Sequence, residues 1–184
     1  MEITKKVQPI RDKEMIEKMK NELLKRGYRD YMLFVIGINT GLRISDILKL
    51  KVSDVKDRSH IILNEKKTGK SKKARINEQL NRDIDGYVQG MPLQAYLFES
   101  QRGANNPITR VQAYRILNAA AKEIGLDEIG THTLRKTFGY WHYKQYKDVA
   151  LLQKLFNHSS PSITLEYIGS NQDIMDQTID NFYI

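Results

Sequence analysis

A chain of 184 residues with 40% apolar and 28% charged side chains is long enough for one domain with a buried core, and too apolar for wholesale disorder. Its 30 Lys and Arg against 22 Asp and Glu leave a net charge of +8, which favours a polyanionic partner, nucleic acid ahead of an anionic membrane surface. With no cysteine, thiolate catalysis, disulfides and Cys-ligated zinc are excluded.

From the N-terminus, MEITKKVQPIRDKE lacks an apolar signal core, and the longest apolar run, Tyr31 to Ile38, falls far short of the roughly 20 residues a spanning helix needs. A soluble, cytoplasmic protein without a membrane partner is expected. Asp12 can cap a helix with apolar positions Ile16, Met19 and Leu23, and Gly27 stops it. A more apolar helix follows over about 29–38. Asn39-Thr40-Gly41 breaks it, and LRISDILKL resumes helical spacing through Ile47, Leu48 and Leu50. HIILNE and KARIN then alternate as short strands around KKTGKSK, which predicts a hairpin with a basic tip. A helix is expected over 78–89, a short apolar segment at QAYLFES and a loop at QRGANNP. Thr109 and Gln112 form a capping box for a helix carrying Val111, Tyr114, Leu117, Ala121 and Ile124.

Past a turn bracketed by Gly125 and Gly130, a helix beginning near Thr131 carries one apolar stripe of Leu134, Phe138 and Trp141. His132 and Arg135, three apart, share another face. Residues 148–157 form a further short helix ending at His158. Ser160 caps the next, with Pro161 in its first turn and Tyr167 near its end. In the tail NQDIMDQTIDNFYI, Met175, Ile179 and Phe182 line one face of an otherwise acidic helix. The fold class expected is mainly α with a small antiparallel β-sheet.

Each polar candidate has a plain reading by itself. Tyr167 could be a packed core tyrosine, Arg43 and Asp46 an intrahelical ion pair, and His132 and His158 helix-terminal residues. The six Lys and Arg among residues 66–75 could be a solvated charge run. Together they match what a tyrosine nucleophile needs to attack a phosphodiester. Two arginines clamp the non-bridging oxygens, histidines hydrogen-bond or move protons, and a lysine on a flexible hairpin protonates the leaving oxygen. That inventory calls for neither metal nor ATP.

TGLRISDIL, KTGK, HTLRKTFG and FNHSSPSITLEYIG stand in the order and approximate spacing of the tyrosine recombinase, or phage integrase, family, which the chain resembles from about residue 8 to 180. The resemblance implies the tyrosine recombinase catalytic-domain fold. It implies a site-specific recombinase in which Tyr167 attacks the scissile phosphate of double-stranded DNA, giving a 3′-phosphotyrosyl intermediate and a free 5′-hydroxyl. Arg43 and Arg135 would grip the phosphate, Lys67 would protonate the leaving oxygen, His132 and His158 would assist, and Asp46 would hold Arg43. Lys66, Lys70, Lys72 and Lys73 would contact DNA, and His142 reads as structural or DNA-proximal. No cofactor is expected.

The family usually adds an N-terminal helical domain that clamps the other side of the DNA, and no match to that core-binding domain is present. Residues 1–184 therefore read as one catalytic domain, with a core over about 8–169 and a tail over 170–184. The tail either folds back on its own core or packs on a neighbouring subunit, as the family's tail often does. A homo-oligomer on DNA, and a monomer or weak dimer when free, is expected. Two alternatives stand beside the recombinase: a DNA-binding regulator of the same fold that no longer cuts, and a relaxing enzyme like the type I topoisomerases.

Overall fold

The computed structural model describes residues 7–64, 71–101, 103–127, 129–180 and 182–183. Helix α1 (Lys13–Arg26) starts where expected, the Asp12 carboxylate accepting a hydrogen bond from the Glu14 amide at 2.8 Å. Helix α2 (Tyr28–Thr40) has an unbroken buried run from Met32 to Gly37 because it is the central element, with α1, α4 and α6 packed around it. Asn39 and Thr40 do not break this helix. Their side chains bond back to the Val35 and Ile36 carbonyls, and the stop comes at Gly41, which is left-handed at φ 62°.

Helix α3 (Ile44–Ile47) is a single turn, shorter than the periodicity implied. Leu48 and Leu50 are buried from a turn rather than from a helical face. After a 3₁₀ turn at Val52–Asp54, strands β1 (His60–Asn64) and β2 (Ser71–Arg75) pair antiparallel, with Ile61 opposite Ala74 on the buried side. A two-stranded ribbon is marginal alone, so this pair of buried residues ties it to the helical body. QAYLFES supplies a bridge between Tyr96 and Lys51 and another between Glu99 and Pro107.

Helix α4 (Glu78–Val88) is capped by Asn77, and α5 (Arg110–Glu123) by the reciprocal Thr109–Gln112 box. The inward face of α5 differs from the expected one. Ala113, Leu117, Ala120 and Ala121 are buried, while Val111 and Tyr114 are 57% and 48% exposed. α1 packs on α5, whose small alanines turn inward and larger side chains outward.

Helices α6 (Thr133–Tyr146), α7 (Val149–Phe156) and α8 (Pro161–Ile168) enclose a second, smaller core of Leu152, Phe156 and Ile168, with Phe138, Tyr143, Leu165 and Tyr167 packed against it. Asp148 and Ser160 cap α7 and α8 through their side chains. Gly139 is required here, since a Cβ on it would lie 2.6 Å from Ile168 Cγ2 and 2.8 Å from the Phe156 ring. Helix α9 (Asn171–Asp180) leaves the apolar residues of the tail largely uncovered: Met175, Ile179 and Phe182 are 53%, 68% and 64% exposed. Among the described residues no helix is long and apolar enough to cross a membrane.

Candidate active site

The second core delivers Tyr167. Its ring stands edge-on to those of Phe156 and His158, with centroids 5.7 Å and 5.1 Å away, and its hydroxyl lies 3.3 Å from His132 Nδ1. His132 is the residue that leads into α6, and Arg135 follows one turn later. Thus α6 and α8 bring together residues 35 apart in the chain.

Arg135 is only 3% exposed, and two backbone carbonyls hold its fork. Nη1 donates to Gly41 at 2.6 Å and Nη2 to Phe156 at 2.9 Å. The first acceptor lies at the α2 terminus and the second at the end of α7, so the guanidinium locks three segments around one charge. It also lies over the Phe156 ring, 4.1 Å from the centroid. Lysine could not make this two-pronged contact.

Burial raises the Tyr167 hydroxyl above the usual tyrosine value, while the charges of Arg135 and Arg43 and a hydrogen bond with Arg135 pull it back down. An arginine can only donate, so the tyrosine's own proton is left to face His132 Nδ1. Burial, and then the charges of Arg110, Lys136, Arg135 and Arg43, lower the pKa of His132. A neutral imidazole is the form able to take that proton.

His158 has its tautomer set by its neighbour. The Thr164 hydroxyl donates to the Ser160 carbonyl at 3.1 Å and lies 3.1 Å from His158 Nδ1. A hydroxyl has one proton, so Nδ1 must carry its own and donate it, leaving Nε2 as the second functional nitrogen. Thr164 is fully buried, which removes water as an alternative partner. His158 is depressed by burial first, then by Arg135, Arg43 and Lys72, so the half-buried Lys72 of β2 is close enough for its charge to act at the site.

Arg43 is exposed at the N-cap of α3, and its charge acts on Tyr167, Arg135, His132 and His158 alike. The ion pair expected with Asp46 is absent from those formed among the described residues. The three-residue spacing brings side chains together only when both residues are helical, and Arg43 is extended at φ −70°, ψ 143°. The Asp46 charge acts instead on Arg135. Lys66, Lys67 and Lys70 lie outside the described residues. Lys73 is exposed on β2, and His142 lies against Phe138 and Tyr146 rather than beside Tyr167.

Sequence reasoning passed over Thr164, Arg110 and Lys136. The lysine was findable, four residues beyond His132 and so on its helical face. Arg110 carries no local signal, because only tertiary packing brings the start of α5 toward His132.

The phage integrase family model matches residues 9–173. The chain belongs to that family, the tyrosine recombinases. Among this recombinase's relatives, the probable integrase/recombinase YoeC of Bacillus subtilis (strain 168) is 54% identical over 167 residues, covering 91% of this chain and 92% of YoeC. Tyrosine recombinase XerA of Pyrococcus furiosus is 27% identical over 84% of this chain, which spans 54% of XerA. A lambda integrase dimer bound to a COC′ core site superposes with a TM-score of 0.68 at 19% identity, over 90% of this chain and 49% of the integrase, a likeness of fold.

Proposed function

We propose that this recombinase cleaves and rejoins double-stranded DNA by transesterification at Tyr167. Tyr167 Oη bonds to the scissile phosphorus as the bond to the 5′ oxygen breaks, giving a 3′-phosphotyrosine and a 5′-hydroxyl. His132 Nδ1 accepts the tyrosine proton, and the departing 5′ oxygen receives one from Lys67. Arg43 and Arg135 hold the non-bridging oxygens, with His158 beside them. The observation that carries this reading is the contact of Tyr167 Oη with His132 Nδ1 at 3.3 Å, beside a guanidinium already fixed by two carbonyls. Preorganised charge of this kind is worth roughly 3–4 kcal/mol per contact.

The +8 charge, with Lys72 and Arg110 near the site, supports a DNA backbone as the anion, and lambda integrase is a dimer on its core site. Several copies assembling on DNA, through a catalytic core over 8–169 and a tail over 170–184, fit the same reading.

A nicked suicide duplex tests it. Wild type should accumulate a covalent adduct that survives denaturation, and Tyr167→Phe should bind the duplex equally and form none. An adduct with Tyr167→Phe would move the nucleophile elsewhere. With sulfur in place of the bridging oxygen, a leaving group that needs no proton, Lys67→Ala should recover cleavage while Arg43→Ala stays impaired. Relaxation of a supercoiled plasmid without recombination between two sites would favour a topoisomerase-like activity instead.

A further inference from the structure

Lys136 carries a charge yet is 6% exposed, and long cations are rarely buried unless something holds them. Its Nζ donates to the Val7 carbonyl at 2.8 Å and stands 5.1 Å from the centroid of the Tyr167 ring. It lies between the N-terminal segment and the tyrosine.

That segment, residues 7–11, touches both helices of the site. Just before α6, a Cβ on Gly130 would meet Val7 Cγ2 at 2.9 Å. The Ile10 amide donates to Thr137 Oγ1 at 2.9 Å, and Trp141 Nε1 donates to the Ile10 carbonyl at 2.9 Å. At α8, Arg11 Nη2 donates at 2.8 Å to the carbonyl of Gly169, the left-handed residue that ends the helix two positions beyond Tyr167. Arg11 Nη1 also pairs with Asp173 at 3.4 Å.

We propose that Lys136 is a positioning residue for Tyr167, binding the ring to the segment 7–11 while Arg11 holds the far end of the same helix to that segment. The tyrosine is thereby set by a strap from the opposite end of the chain, and a shift of the strap is transmitted to the hydroxyl. Phe156 and His158 bound the ring at its edges, and Lys136 supplies the contact to the strap. Displacing a reacting atom by about 1 Å costs on the order of 100-fold in rate, so a small shift is enough to matter.

This inference rests on Tyr167 being the nucleophile. The test uses the full chain and saturating nicked duplex, reading the adduct-formation rate, DNA affinity, melting temperature and the ¹⁹F resonance of a fluorotyrosine placed at 167. Lys136→Met should slow adduct formation about 10- to 100-fold with DNA affinity unchanged, and should move the ¹⁹F resonance. Lys136→Arg, keeping a cation and a donor, should restore most of the rate. Arg11→Met, at a more exposed position, should slow the same step, and it decides the matter if Lys136→Met does not fold. Wild-type rates in Lys136→Met or Arg11→Met, an unmoved resonance in Lys136→Met, or a defect confined to DNA affinity would overturn the inference. An adduct persisting in Tyr167→Phe would remove the nucleophile assignment instead, and the strap's role with it.

Discussion

Thr164 shows how one hydroxyl can decide the chemistry of a residue six positions away. Its single proton goes to Ser160, so His158 must donate from Nδ1. Thr164→Val keeps the shape and leaves a buried N–H without an acceptor, which costs about 1–3 kcal/mol. Denaturant unfolding should show that loss together with slower adduct formation, and Thr164→Ser should recover both. The two site histidines also give stability a pH dependence. Both have folded values below the ordinary 6.5, through burial first and neighbouring cations second. The unfolded chain therefore takes up protons first on acidification, and stability falls between 6.5 and the lower folded values. Melting temperatures measured from about pH 7.5 to 5.5 should drop less for a His132→Gln/His158→Gln double variant than for wild type. An equal drop would place the sensitivity in other groups.

At the scale of elements, the crossing of α6 and α8 sets where the tyrosine stands. Alanine in place of a helical glycine ordinarily gains about 1 kcal/mol. At Gly139 the added methyl would sit 2.6 Å from Ile168 Cγ2 and 2.8 Å from Phe156, both fully enclosed, and overpacking costs about 1–3 kcal/mol. The clash should win. Gly139→Ala should melt lower and lose adduct formation beyond what its stability explains, because separating the helices also parts His132 from Tyr167. A variant as stable and active as wild type would show that α8 can slide without harm.

For the whole molecule, the open question is what covers the exposed apolar face of the tail. Met175 and Ile179 are already exposed, so Met175→Glu/Ile179→Glu should change the free chain's stability by about 0.5 kcal/mol or less. If the apolar face packs on a neighbouring copy on DNA, the same variant should lose cooperative complex formation in a gel-shift titration while single-site binding holds. A large fall in melting temperature with normal assembly would return the tail to its own core. Point substitution is the cleaner experiment, since removing the tail would also remove Asp173, the partner of Arg11.

The sequence by itself determined what short-range forces control. The caps at Asp12, Thr109, Asp148 and Ser160, the stop at Gly27, the hairpin and the tyrosine near the end of α8 follow from side chains acting within a turn or two of their own backbone. The ordered motifs also named Arg43, His132, Arg135, His158 and Tyr167 as candidates, because those residue types together suit one chemistry. Only the tertiary structure decided which face α5 buries, that Arg43 acts without pairing to Asp46, and that Arg135 is held by carbonyls 94 and 21 residues away. Packing chose among faces that periodicity leaves equivalent, and cap geometry overrode the simple three-residue spacing. The strap of residues 7–11 belongs to the same class. Its hydrogen bonds span 127 to 162 residues, and nothing local in VQPIR marks it as the support of a helix at the other end of the chain.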